Sequence, residues 1–424
     1  MRLRALDVFL GRSRAGTLIQ VGQGLEALTR FVPDPRLWRK TDAPILSWGT
    51  VVADEDRAGY WLRYADIPFF NARGGRLPSF FQNLLPEGML RDHVAHQRSC
   101  ARDDHFELLA ACGLNLPGAV TVFPAIKYGP AVQQWLRTAP GQMVFEEVAE
   151  PMTGGAALAG VQPKLAMIES NGRYFTSQPD LVGTAVIAKF PTTDIAPLPE
   201  LEELSLRLAA AAGVKTSRAK LVPIAAIADD VPFALSGTQF LAVERFDRVR
   251  RRRIRCEEFA QIFGMQPDEK YSHPAAVYSN FAAVLAQMGR EDDVLELLRR
   301  LLVNELLGNS DAHAKNVGII YVDGEGPRLS PAYDIVAQAA FVKAPQHALP
   351  LIRGSAKRDT FLDPLVLRTF CAEAGMLETR GRAIVRGVVE SALDQWPPMI
   401  EESRLPASMK NRLLEHVQQS SGRR

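Results

Sequence analysis

At 424 residues the chain is too long for one simple domain, and two or three cores are expected. Its 47% hydrophobic and 23% charged residues are those of an ordinary globular protein, and 50 Lys+Arg against 48 Asp+Glu gives no electrostatic argument for or against nucleic acid or membrane. Cys100, Cys112, Cys256 and Cys371 form no CxxC pair, which argues against structural zinc and for a reduced compartment. The opening "MRLRALDVFLGRSR" is broken by Asp7 and does not read as a signal peptide. No apolar run approaches the roughly 18–20 residues of a membrane span, so a cytoplasmic location is expected.

In chain order, "LRALDVFL" and "TLIQVG" read as a hairpin, and "DEDRAG" followed by "YWLRYA" reads as a repeat of that pattern. "SFFQNLLPEG" reads as a packed corner that runs into a helix. "DHFELLAACG" reads as a short helix capped by Asp103 or Asp104 and stopped by Gly113. "MTGGAALAGVQPKLAMIESNGRYFT" joins a Gly/Ala loop to a strand and an Asn-Gly turn. "TAVIAKFP" is a strand carrying Lys189, and "PELEELSLRLAAAAGV" is a helix with an acidic first turn and Gly213 at its end. "RAKLVPIAAI" and "TQFLAVERF" are further strands. After Arg250 to Arg253, read as a solvated turn, helices dominate to the end. His93 and His96 sit three apart with no visible third metal ligand, and are read as structural. The order predicts a β-rich subdomain over residues 1–105, a mixed lobe over 106–248 and a helical lobe over 249–424.

The polar island "NSDAHAKN" lies between a helix ending at Gly308 and the strand "GIIYV". Asp311 and Asn316 are five apart, the spacing by which a kinase catalytic loop presents a base and a metal-binding amide to one cleft. Asp334, in "LSPAYDI" after a strand and a turn, supplies a second hard oxygen ligand. One or two carboxylates with phosphate oxygens suit Mg²⁺. Upstream, "TGGAALAG" leaves backbone N–H groups bare for phosphate. Lys164 and Lys189 are both strand lysines after it, either of which can meet phosphate, and Glu202 on the next helix can pair with that lysine. "AVERFD" ends a strand where a hinge would hold adenine. Each feature alone has an ordinary structural explanation, but their order along one chain favours a kinase. A small-molecule phosphotransferase, and a DNA-binding accessory module using the arginine run, are the alternatives.

Six segments, "SFFQNLLPEG", "LAGVQPKLAM" (158–167), "AVIAKFP" (185–191), "AVERFDR" (242–248), "NSDAHAKN" (309–316) and "LSPAYDI" (329–335), together resemble the HipA-type serine/threonine kinase toxins of bacterial toxin–antitoxin modules. The resemblance implies an α+β, two-lobed protein-kinase-like fold with a small β-rich N-terminal subdomain and an all-helical C-terminal lobe. It implies ATP and Mg²⁺ as cofactors. By motif, Asp311 is the catalytic base, Asn316 and Asp334 hold metal, and Lys189 pairs with phosphate. Ala159, Gly160, Val161, Gln162, Pro163 and Lys164 belong to the nucleotide loop. Glu244 and Phe246 form the adenine hinge, and His313, Lys315 and Tyr333 contact nucleotide or the transferring group. Family substrates are aminoacyl-tRNA synthetases, notably the glutamyl enzyme. The usual partner is a HipB-like helix-turn-helix antitoxin through which operator DNA is bound. In one departure, Ala157 stands where the family often has a regulatory serine, and alanine has no hydroxyl to phosphorylate.

Overall fold

The computed structural model describes the chain apart from residues 35–45, 51–69, 127–128, 131, 134–136, 138–142, 153–154, 159–161, 177–181, 193–194, 196, 232–233, 251, 323–325 and 423–424. The expected second hairpin, "DEDRAG" with "YWLRYA", lies outside the described residues. The chain divides into two compact units. The first is Met1–Ala185, Ala228–Phe233 and Asp247–Pro267, and the second is Val186–Ile227, Ala234–Phe246 and Asp268–Arg424.

The first unit begins with β1 (Arg2–Leu10), β2 (Ser13–Val21), β3 (Leu28–Pro33) and β4 (Asn71–Arg73). Three helices follow, α1 (Ser79–Gln82), α2 (Gly88–Arg98) and α3 (His105–Ala111), then β5 (Val120–Pro124), β6 (Val144–Phe145), β7 (Lys164–Ser170) and β8 (Arg173–Thr176). The main sheet runs β4-β3-β2-β1-β5, with β6 parallel to β1. Alternation along β1 and β2 puts Leu3, Ala5, Ile19 and Val21 into one core. The "SFFQ" corner is buried throughout, and Asn83 holds it by donating to the carbonyls of Ser79 (2.9 Å) and Met265 (2.8 Å). The α3 cap is Asp104, which accepts from the Glu107 N–H at 3.1 Å and binds Arg4 at 2.8 Å. Between β7 and β8, Asn171 and Gly172 both take left-handed φ (53° and 77°), as the tightest hairpin turn requires.

The arginine run keeps an exposed turn at Arg250 and departs from its reading as a solvated turn at Arg253. Residues Arg248–Val249 and Arg252–Arg253 pair as a hairpin, with Arg250 exposed at φ 54° and Arg251 outside the described residues. The Arg253 guanidinium turns inward and donates to the carbonyls of Leu114, Leu116, Gly118 and Val120 at 2.6–2.9 Å. A loop with four carbonyls pointing the same way needs donors, and a planar guanidinium supplies them.

In the second unit, the strands at Ala219–Pro223, Gln239–Glu244 and the end of Thr184–Lys189 pair antiparallel, and Leu241 faces Lys189 in register. The helix Leu198–Ala211 opens with Pro199 and Glu200 and ends before Gly213, at φ 82°. Tyr278–Gln287, Glu291–Leu307, Pro364–Glu373, Glu378–Glu401 and Ala407–Ser420 supply the helical mass, interrupted by the hairpin Gly318–Val322 with Gly326–Leu329. The buried Trp396 indole donates to the carbonyl of Leu208 at 2.9 Å, tying two of these helices. The Glu291–Leu307 helix ends at Gly308, at φ 63°, where an added Cβ would lie 2.4 Å from Pro345 and 2.9 Å from Ala339. Only glycine fits there. Among the described residues, no helix is long and apolar enough to cross a membrane.

Candidate active site

The polar island starts where this glycine turns the chain. Asn309 is buried, its amide donates to the Asn304 side-chain oxygen (3.0 Å), and its own side-chain oxygen accepts from the Asp311 N–H (3.2 Å). Ser310 N–H is held by the Gln338 side chain at 3.1 Å. Asn316 closes the loop by donating from Nδ2 to the Asp311 carbonyl at 2.7 Å. The backbone is therefore held at both ends while the Asp311 side chain stays half exposed. That carboxylate accepts a hydrogen bond from the Tyr271 phenol and lies 3.7 Å from Nε2 of His313.

His313 is buried, and its Nδ1 accepts the Lys315 N–H at 3.3 Å, so the ring proton belongs on Nε2, toward Asp311. Burial first, then the ammonium groups of Lys270 and Lys315, lower its pKa to about 3 against the opposing pull of Asp334. The imidazole is neutral, so its approach to Asp311 is a dipolar contact and not an ion pair.

Asp334 follows a short extended segment in which Ala332 exchanges hydrogen bonds with Lys215 and Ser217 at 2.7 and 2.8 Å. Its own φ is 55°, a left-handed conformation uncommon for any residue but glycine. This re-aims the carboxylate at Lys189, with which it forms an ion pair. On its other side Lys189 binds Glu202 at 2.5 Å, where both side chains are almost wholly enclosed. Burial alone would pull the lysine pKa down. Asp334 and Glu202 more than reverse this, and the pKa is raised. Lys189 therefore stays charged through the neutral range.

Asn316, Tyr333 and Asp334 line one cavity of about 20 Å³, with Asn304, Asn309 and Arg300 behind them. Asn316 and Asp334 both line it, and an amide oxygen with a carboxylate is a hard donor set of the kind that fits a divalent cation. Phe246 and Tyr333 form a tilted ring pair at 5.6 Å, and the Tyr333 hydroxyl donates to the Lys315 carbonyl at 3.0 Å. Glu244 is exposed, with its N–H donated to the Arg218 carbonyl at 2.8 Å. Lys315 is buried.

The structure thus brings together Lys189, Glu202, Asn316, Tyr333 and Asp334, and couples Asp311 to Asn316 and His313. Gln162, Pro163 and Lys164 belong to the first unit, where Lys164 opens β7 and is buried. Ala159, Gly160 and Val161 lie outside the described residues. Ala157 is fully buried and donates its N–H to the Asn115 carbonyl at 3.3 Å. Sequence reasoning missed three residues here. Asn304 and Asn309 brace the loop, a role that spacing alone does not distinguish from a surface amide. Tyr271 lies 40 positions before the carboxylate that it binds. Among the described residues, no three His, Cys, Asp or Glu side chains converge on one point, so His93 and His96 gain no third partner.

A strand lysine paired with a helix glutamate, joined to an aspartate downstream of an Asp-x4-Asn loop, defines a kinase-like protein of two-lobed α+β fold. The model of the HipA-like C-terminal domain matches residues 156–396 and that of the HipA N-terminal domain matches residues 6–123. The chain belongs to the HipA-like family. A Sinorhizobium fredii protein named "Putative kinase Y4dM" is 32% identical over 339 residues, covering 79% of each chain. The serine/threonine-protein kinase toxin HipA of Shewanella oneidensis is 25% identical over 62% of this chain and 63% of its own. HipA in the Shewanella oneidensis complex of HipA, HipB and operator DNA superposes with a TM-score of 0.65 at 19% identity, over 99% of this chain and 96% of that one. This last likeness carries the fold.

Proposed function

We propose that this protein is an ATP- and Mg²⁺-dependent serine/threonine protein kinase of a toxin–antitoxin module. The observation that carries the proposal is Lys189, charged and buried between Glu202 and Asp334. No core needs an ammonium there, and two acids around one lysine fix it where phosphate oxygens can share it.

In the proposed reaction the hydroxyl oxygen of a serine or threonine bonds to the γ-phosphorus of ATP. The bond from that phosphorus to the β,γ-bridging oxygen breaks, and ADP departs with the electron pair. Asp311 orients the attacking hydroxyl and takes its proton late. Lys189 offsets charge on the phosphates, and Glu202 keeps Lys189 extended. His313 stays neutral, with its Nε2 3.7 Å from the Asp311 carboxylate. Phe246 and Tyr333 present a ring pair beside the site, apt for a flat adenine, and Glu244 ends the strand that leads to it. When bound, Mg²⁺ would be held by Asn316 and Asp334 and would neutralise phosphate charge.

For the acceptor, the family resemblance points to an aminoacyl-tRNA synthetase, glutamyl-tRNA synthetase first. The partner is taken to be a HipB-like antitoxin, since a HipA of the same fold is found with HipB on operator DNA. The test is incubation of the native protein and of Asp311→Ala with labelled ATP and a cell extract, followed by phosphopeptide mapping. Label on a synthetase serine that depends on Asp311 supports the reading. Equal labelling by both proteins would falsify it, and labelling of a small cation alone would point to a small-molecule phosphotransferase.

A further inference from the structure

We infer that Tyr271 is the acceptor-side gate of this site, its phenol holding on Asp311 the place that the substrate hydroxyl must take. The inference rests on the kinase reading above. The phenol donates to Oδ1 of Asp311. A hydroxyl about to be phosphorylated needs the same kind of contact, an O–H aimed at a carboxylate oxygen within about 2.6–3.2 Å. A tyrosine phenol and a serine hydroxyl both donate an O–H to that oxygen, so the two compete.

Two of the loop's bonds engage the main chain of Asp311 and leave its carboxylate to other groups. Asn316 takes the Asp311 carbonyl, and Asn309 takes the Asp311 N–H. They hold the backbone whether or not Tyr271 is in place.

The surroundings of Tyr271 are those of a part that moves aside. The residue is 38% exposed, and its ring stands edge-on to His313 at 4.9 Å. The ammonium groups of Lys270 and Lys357 lie 5.3 and 5.9 Å from its centroid. Such cation–ring contacts are weak where water reaches them. Seven residues on, Tyr278 shows what a fixed tyrosine looks like here. It is fully buried, its hydroxyl donates to the Ala312 carbonyl at 2.8 Å, and its ring packs on Phe281. Tyr278 supports the loop from beneath, while Tyr271 covers its catalytic face. Tyr271 acts on the acceptor step only through the proposed base that it occupies.

The test uses the full chain and Tyr271→Phe, which keeps the ring and removes the competing hydroxyl. Transfer from ATP with Mg²⁺ is measured against the concentration of dephosphorylated casein, and ATP hydrolysis is measured without it. The apparent KM for casein should fall by roughly threefold to tenfold, the tax that a displaced hydrogen bond to a carboxylate places on binding. The kcat should stay within about twofold, and hydrolysis should rise as water reaches Asp311. An unchanged or higher KM, or a loss of kcat, overturns the gate. A second arm does not need activity. Acetylation of the Tyr271 oxygen by N-acetylimidazole, mapped by mass spectrometry, should be several-fold faster in Asp311→Ala than in the native chain. Equal rates also overturn the inference. If neither protein transfers or hydrolyses, the kinase reading fails, and the acetylation rates decide the Tyr271–Asp311 contact by themselves.

Discussion

Asn316 donates its side-chain N–H to the main-chain carbonyl of Asp311 at 2.7 Å. The five-residue spacing is thus a closed ring of structure, and one end of the Asn316 amide is committed to shaping the loop. Its oxygen is left as the end that can meet a cation. Changing Asn316 to Ala removes both ends. Changing it to Asp keeps the oxygens but replaces the donor with an acceptor opposed to a carbonyl.

Both variants should therefore lose phosphoryl transfer by about 100-fold or more. Stability should fall by only about 1 kcal/mol, the worth of one hydrogen bond. Single-turnover transfer and urea unfolding on the same samples separate the two effects. Native-rate transfer by Asn316→Asp would show that the Asp311 carbonyl contact does not shape the site.

The second prediction concerns the buried lysine. Glu202 is 1% exposed, so Lys189→Met takes an ammonium away from a carboxylate in the interior. Removing one member of such a pair costs about 3–5 kcal/mol. The double variant Lys189→Met/Glu202→Gln should regain part of that loss, because the orphaned charge is gone. Urea midpoints for the set test this, and a double variant less stable than the single one would refute it. The pH dependence has a definite sign. The folded-state pKa of Lys189 lies above its ordinary 10.5, so its contribution is complete below that value and is lost only as pH rises through the folded-state pKa. Between about pH 6 and pH 9, Lys189 itself should add no pH dependence to the stability of the native chain.

These contacts also show what the sequence could and could not convey. The strand before Lys189, the helix that carries Glu202 and the helix that stops at Gly308 all follow from local patterns, namely alternation, an acidic first turn and a left-handed glycine. The kinase-like fold was legible because the motifs occur in order. The contact of Tyr271 with Asp311 was not, since nothing in a single aromatic residue marks a partner 40 positions away. Asn304 was hidden for another reason. It sits on a helix among apolar neighbours, and only the turn at Gly308 brings Asn309 back to it. Arg253 was misread because a run of arginines looks solvated until the carbonyls beneath it are seen.

That misreading yields a third prediction. Arg253→Ala takes the guanidinium from the carbonyls of Leu114 and Val120, while those of Leu116 and Gly118 keep Arg248 as a donor at 2.8 and 2.9 Å. A loss of about 2–3 kcal/mol in the first unit is expected, the usual range for hydrogen bonds to a charged group. Arg250→Gly, at an exposed position of φ 54°, should change stability by less than about 0.5 kcal/mol, because glycine accepts that conformation readily. Thermal unfolding of the two variants decides the matter. Equal, small effects would restore the reading of the whole run as a solvated turn.

The fourth prediction concerns His313. Its folded-state pKa, about 3, lies below the ordinary 6.5, because burial and then the Lys270 and Lys315 charges disfavour the imidazolium. A group lowered in this way contributes stability that is complete above its unfolded value and is lost as pH falls toward its folded value. Below about pH 6.5, protonation of the unfolded chain should therefore cost the native state about 1.4 kcal/mol per pH unit from this residue, until the site itself is protonated near pH 3. His313→Gln keeps a polar side chain but cannot take up that proton, so its stability curve should be flatter in this range. The ring's NMR signals should show no titration between about pH 5 and pH 8. A His313 midpoint near 6.5 would mean that burial does not hold the imidazole neutral, and that its contact with Asp311 becomes ionic below that pH.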